Sequence, residues 1–168
     1  EAGKHLKKCV LELGGSNAFI ILEDANLDKA VAIAVNARMQ NAGQSCIAAK
    51  RFLVHENIVE EFVAKLKVAI QNLKTGNPFD KEMQIGSLAR VDLAEELEAQ
   101  VQKSIQMGAD LIVGGTRKEA FYEPTILANV TTEMPVFNEE TFGPVASIIT
   151  FKTIDDAIEL SNQSEFGL

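Results

Sequence analysis

A chain of 168 residues, 46% hydrophobic and 24% charged, is long enough to bury a core, and its composition is neither disordered nor fibrous; a single domain is expected. Sixteen Lys and Arg against 24 Asp and Glu leave a net charge of −8, and no basic stripe answers the phosphates of nucleic acid or an anionic membrane surface. The longest apolar run, residues 30–35, falls far short of the roughly 20 needed to cross a bilayer.

In chain order the sequence alternates apolar strands with amphipathic helices, without internal repeats, which predicts an α/β fold. Residues 9–13 and 18–22 read as strands separated by the Gly14-Gly15 turn. Asn26 is placed to cap a helix over residues 27 to about 40 that is apolar nearly all round and should be buried. Phe52, Leu53 and Val54 form a short strand, and Ile58, Phe62, Leu66, Ile70 and Leu73 mark the apolar face of a second helix. Leu93, Leu97, Val101 and Ile105 mark a third. "LIV" at 111–113 with its following glycines reads as a strand and turn, "FYEPTIL" at 121–127 and "VASIITF" at 145–151 as strands, and residues 154–161 as a last helix. Helices of this length between strands imply parallel crossovers and a mostly parallel sheet.

The two cysteines, Cys9 and Cys46, are spaced neither as metal ligands nor as a disulfide framework, so no metal is expected and a reducing, cytoplasmic setting is. The chain begins at Glu1 with no readable leader and is expected to be part of something longer. Cys9, beside Val10 and Leu11, reads as a small core residue. Cys46 stands differently, after Asn41, Gly43, Gln44 and Ser45, where the backbone can turn and polar groups can reach the sulfur. Such a setting suits a nucleophilic thiolate, although local chemistry alone leaves a structural role equally open. Glu12 lies in "VLEL", and on spacing alone it is the solvent face of an alternating strand. The glycines after it permit close approach of a ligand or another backbone. His5 and His55 are remote from Cys46 in sequence, so a Cys/His hydrolase stays open without being indicated.

"LELGG" at 11–15, "NAGQSC" at 41–46 and "EETFGP" at 139–144 resemble three signatures of the aldehyde dehydrogenase superfamily, in order and at the family's separations. The likeness extends through "GNP" at 76–78, "IG" at 85–86 and "SEFGL" at 164–168. "LKKCVLELGGSNAFII" and "AAKRF" are most similar to the succinate semialdehyde type. The resemblance implies the catalytic-domain fold of that family, present as a fragment: residues 1–12 as the tail of the cofactor-binding domain and 13–168 as a catalytic domain incomplete at its C-terminus. It also implies that Cys46 is the nucleophile and Glu12 the general base, that Glu140 binds the nicotinamide ribose, and that Phe142 lies beside the nicotinamide. NAD or NADP is the implied cofactor, with no choice between them legible. Gln40 falls where succinate semialdehyde enzymes often place an arginine for the substrate's distal carboxylate; a neutral amide can hydrogen-bond a carboxylate but lacks the bidentate ionic grip. Arg38, two residues earlier, reads by default as a helix-face charge.

The implied partners are a small aldehyde, the remaining polypeptide of the full-length enzyme and further copies in a homo-oligomer. The isolated 168-residue chain is expected to be inactive. The alternatives are a non-catalytic structural fragment, or a cysteine hydrolase or acyltransferase without a nicotinamide step.

Overall fold

The computed structural model describes residues 1–167; Leu168, the last letter of "SEFGL", lies outside the described residues. Five strands build one sheet: β1 (Asn17–Ile21), β2 (Ala49–His55), β3 (Asp110–Val113), β6 (Thr125–Ala128) and β7 (Val145–Phe151). Their order is β1-β2-β7-β6-β3. The β1/β2, β2/β7 and β6/β7 pairs are parallel and β3 runs antiparallel to β6, so the mostly parallel sheet expected from the sequence is present. The short strands β4 (Arg117–Lys118) and β5 (Phe121–Tyr122) form a separate hairpin.

The long helices are α1 (Leu27–Met39), α2 (Val59–Gln71), α3 (Val91–Gln106) and α5 (Ile154–Asn162), with a single turn, α4 (Pro135–Asn138), before β7. Asn26 caps α1 by accepting from the Lys29 N–H at 3.0 Å, and Thr153 and Asp156 close a reciprocal capping box on α5. Phe62, Leu66 and Ile70 of α2 are buried. Leu97 and Val101 of α3 are buried as well, which is the face that the fourfold spacing predicted.

Six of the seven residues of β2 are buried, the pattern of a central strand covered on both faces. Successive side chains of a strand point to opposite faces, and β2 uses this with two cations. Arg51 donates to the carbonyls of Leu160 and Ser161 at 2.8 and 2.9 Å, satisfying the end of α5, and to Ser16 O at 2.9 Å. Its guanidinium also lies 5.1 Å from the centre of the Phe137 ring. Lys50, the preceding residue, therefore faces the other way, toward the turn that holds Cys46.

Four expectations from the sequence are corrected. Residues 9–13 form no strand, and Leu6, Val10, Leu11 and Leu13 are exposed; an alternating pattern becomes a strand only when another strand accepts its hydrogen bonds. Cys9, on that stretch, is exposed rather than a core residue. Helix α1 is buried along Val31, Ala34, Arg38 and Met39 only, with Ile33 56% exposed. "FYEPTIL" is two strands, because Glu123 and Pro124 separate β5 from β6 and proline cannot donate to a ladder.

Candidate active site

Helix α1 runs into a tight 3-10 turn, Gln40–Gly43, in which Asn41, Ala42 and Gly43 take the left-handed φ values 53°, 52° and 76°. Left-handed backbone costs a non-glycine residue about 1–2 kcal/mol, so the surroundings must hold it there. Asn41 and Gln44 exchange side-chain to carbonyl hydrogen bonds at 2.9 and 3.1 Å. Gln44 Oε1 also accepts from the Ala89 N–H at 2.9 Å, tying the turn to the approach to α3. Arg38 donates to Gly43 O from inside α1. Cys46 follows, partly exposed and free, and among the described residues its N–H has no acceptor.

Arg38 is 1% exposed, which corrects its reading as a helix-face charge. Burial brings its guanidinium down to about 10, the Glu140 charge acting in the other direction; it stays cationic at neutral pH. Its Nε and Nη1 have no partner among the described residues.

Lys50 organises the rest. Its ammonium, 1% exposed, donates to Ser45 O and Cys46 O at 3.0 Å each and stands 3.1 Å from Glu140 Oε1. The Gly15 N–H donates to the same carboxylate oxygen at 3.2 Å. Three separate segments, residues 14–15, 45–46 and 139–140, therefore meet at one buried cation. Gly14 lets these groups approach closely: a β-carbon there would come within 2.6 Å of Glu140 Oε2 and 2.9 Å of Phe166 Cε1, so a larger residue would push those two side chains aside. Burial lowers the Lys50 pKa; the hydrogen bond and charge of Glu140 work against that, the Arg38 charge lowers it further, and the Cys46 charge raises it.

The structure thus joins Cys46 to Glu140 through Lys50. Glu12 is exposed on the irregular stretch before Gly14 and is not drawn into this network. Phe142 is 38% exposed, an aromatic face open to solvent two residues beyond Glu140. Gln40 is exposed and lines a depression of about 270 Å³ with Val35, Met39, Leu73 and Ile85, away from Lys50. A second cavity, about 340 Å³, is lined by Ser16, Arg51, Ser161 and Phe166 and not by Cys46. His55 ends β2, six residues beyond Ala49 and hence roughly 20 Å from the start of the strand, so it cannot serve Cys46 as a base. Among the described residues no group of three His, Cys, Asp or Glu is placed to hold a metal ion, and no helix is long and apolar enough to cross a membrane.

A nicotinamide cofactor needs an acceptor for ribose hydroxyls and an apolar face for its ring. Glu140 offers Oε2, which accepts no hydrogen bond among the described residues while Oε1 is held by Lys50 and Gly15, and Phe142 offers the face. The residues present fit the group.

Sequence reading alone gave Lys50 and Arg51 no role, and took Arg38 for a helix-face charge. The available signal was a pair of cations inside the otherwise apolar "AAKRFLV", which a covered central strand tolerates only when each finds acceptors.

Comparison with known proteins bears on this arrangement. The model of the Aldehyde dehydrogenase family matches residues 1–168. The chain is 52% identical over 171 residues to the NAD(P)+ succinate semialdehyde dehydrogenase Sad of Escherichia coli strain K12, covering 100% of this chain and 37% of that protein. It is 45% identical over 170 residues to the NADP(+) succinate-semialdehyde dehydrogenase of Mycobacterium leprae strain TN, covering 99% and 37%. The crystal structure of succinate-semialdehyde dehydrogenase from Burkholderia pseudomallei superposes with a TM-score of 0.94 at 37% identity, over 99% of this chain and 35% of that one. The chain therefore spans little more than a third of the length of these relatives.

Proposed function

The chain belongs to the aldehyde dehydrogenase family, and from that premise we propose that it carries the chemical centre for NAD(P)-dependent oxidation of an aldehyde to its carboxylic acid. Succinate semialdehyde is the first candidate substrate, because the relatives at 52% and 45% identity are named for it.

An aldehyde carbon is a poor hydride donor until it is tetrahedral and bears an oxyanion. In the proposed sequence the Cys46 thiolate adds to that carbon to give a thiohemiacetal, and the Cys46 N–H, which has no acceptor among the described residues, donates to the oxyanion. The nicotinamide, when bound, accepts the hydride. Glu140 holds the ribose through Oε2 and Phe142 flanks the ring. The thioester left on Cys46 is hydrolysed by water, with Glu12 as general base, a role worth typically ~10²–10⁴-fold. Gln40 is the proposed contact for the far end of the substrate.

The remaining polypeptide of the full-length protein is the proposed cover for the exposed Leu6, Val10, Leu11 and Leu13, with residues 1–12 as the tail of the cofactor domain and 13–168 as the catalytic domain. A cytoplasmic homo-oligomer is the proposed setting, for a chain with two free cysteines.

The observation that carries the proposal is the Lys50 ammonium, which draws the Cys46 turn and Glu140 to within hydrogen-bonding distance of one atom. The test is reduction of NAD and NADP by the full-length protein with succinate semialdehyde and a panel of other aldehydes. Reduction that disappears in Cys46→Ala is the expected result. Acyl transfer from an ester to Cys46 with no nicotinamide reduction by any aldehyde would replace this reading with the cysteine acyltransferase.

A further inference from the structure

We infer that Lys50 is a positioning residue that holds the Glu140 carboxylate and the Cys46 turn in one fixed relation, so that charge on the cofactor side sets the reactivity of the thiol. The inference deepens the reading just given and rests on Cys46 as nucleophile and Glu140 as cofactor ligand.

An ammonium has three N–H donors and no acceptor. At Lys50 all three are used: Ser45 O at 3.0 Å, Cys46 O at 3.0 Å and Glu140 Oε1 at 3.1 Å. With no donor left over and 1% exposure, the group has no freedom to release one partner without stranding a buried charge. Gly15 N–H pins the same carboxylate oxygen from the opposite segment. Glu140 and the Cys46 backbone are consequently set at a distance fixed by a single tetrahedral centre.

A purely structural role explains this residue poorly. Burying an ion pair is often no better for stability than burying an apolar side chain of the same volume, and burial does lower the Lys50 pKa. The charge count supplies the reason for keeping it. Behind the Cys46 turn stand two buried cations, Lys50 and Arg38, and one carboxylate, Glu140, which leaves one excess positive charge. In a poorly solvated site that excess is weakly screened, and it favours any anion at Cys46, whether the thiolate or the oxyanion that follows. Anything that changes the charge on Glu140 changes how much of the Lys50 field reaches the sulfur.

The test uses the full-length protein and its Lys50→Met, Lys50→Arg and Glu140→Gln variants, with folding checked by thermal denaturation. The rate of iodoacetamide alkylation at pH 7 is followed by mass spectrometry of the Cys46 peptide, with Cys9, exposed and outside the network, as internal reference. Lys50→Met is expected to slow Cys46 alkylation about tenfold with Cys9 unchanged, Lys50→Arg to recover most of that rate, and Glu140→Gln to raise it. The KM for the nicotinamide cofactor is expected to rise about tenfold in Lys50→Met. Equal Cys46 rates for parent, Lys50→Met and Glu140→Gln would overturn the inference. If Lys50→Met does not fold, Glu140→Gln decides: a faster Cys46 reaction sustains the inference, and an unchanged or slower one overturns it. Aldehyde-dependent reduction by the parent is scored separately, so failure of the dehydrogenase reading is distinguishable from failure of the Lys50 coupling.

Discussion

Gly43, which closes the turn before Cys46, packs against the backbone of Gly143 in the "EETFGP" segment so closely that a β-carbon on Gly43 would fall inside van der Waals contact of the Gly143 carbonyl and close to Arg38 Nη2. The "NAGQSC" and "EETFGP" segments of the site are thus in direct backbone contact, at a residue whose φ of 76° already favours glycine.

Gly43→Ala should therefore destabilise the fold by roughly 3 kcal/mol or more, combining left-handed strain with a clash against backbone that cannot swing aside. Gly108→Ala is the control: its φ is 110°, yet nothing among the described residues lies within 4 Å of an added β-carbon, so strain alone should cost about 1–2 kcal/mol. Denaturant midpoints of the two variants make the comparison. Equal losses would show that the Gly43–Gly143 approach carries no energetic weight.

Cys46→Ala in the full-length protein is expected to lower kcat by more than about 10³-fold. Glu12→Gln is expected to spare the first turnover and stall the second, giving at most about one equivalent of reduced cofactor per site before the rate collapses. Rapid-mix absorbance of the reduced nicotinamide distinguishes the two. Steady turnover by Cys46→Ala would remove the covalent mechanism.

Glu140→Gln keeps the size of the side chain and one acceptor while weakening its hold on both the ribose and Lys50. Loss of a well-placed cofactor should slow hydride departure from the aldehyde carbon by roughly 10–100-fold. A deuterated aldehyde reports this as a larger isotope effect on kcat than the parent shows, and an unchanged effect would return Glu140 to a surface role.

Tyr122 is buried with its hydroxyl unpartnered among the described residues. Burial, aided by the Glu98 and Glu123 carboxylates, holds its pKa well above the ordinary value near 10. A folded-state pKa raised in this way gives a contribution to stability that is full below pH 10 and lost as pH climbs beyond it, where the unfolded chain releases the proton and the folded chain does not. Tyr122→Phe should leave stability at pH 7 unchanged or improved by up to about 1 kcal/mol. It should also flatten the decline above pH 10. Urea midpoints of parent and variant at pH 7 and pH 11 check both, and identical slopes would show that the hydroxyl finds a partner in solution.

Helices α2 and α3 were legible in the sequence because each repeats its apolar residues at threes and fours, and Leu97, Val101, Phe62, Leu66 and Ile70 fall on the buried faces that this spacing demands. Strand β7 was legible from the β-branched and apolar residues of "VASIITF". Residues 9–13 misled because Val10, Leu11 and Leu13 report β propensity, while a strand depends on a partner that no local pattern contains. Cys46 stood out by its polar turn, and Glu140 and Phe142 came only through resemblance. Lys50 was invisible for a different reason: its three acceptors lie at positions 45, 46 and 140, and nothing in the neighbourhood of a lysine announces a carboxylate so distant along the chain. Arg38 was misread because a charge on a helix is normally solvated, and only the left-handed turn after α1 folds a carbonyl back onto it.

The strand order β1-β2-β7-β6-β3 has a consequence for synthesis. Of these five strands β7 comes last in chain order, yet it sits between β2 and β6. Until it emerges, β2 offers an unpaired edge carrying Phe52, Leu53 and Val54, and β6 offers another. At about 5–20 residues per second, the interval between completion of β2 and completion of β7 amounts to roughly 5–20 s, during which two bare apolar edges are available to neighbouring nascent chains. Glu140 precedes β7 by only a few residues, so docking of this strand and assembly of the Lys50 centre occur together. A ribosome that stops short of residue 145 releases a pair of half-sheets prone to stick to one another and suited to capture by chaperones.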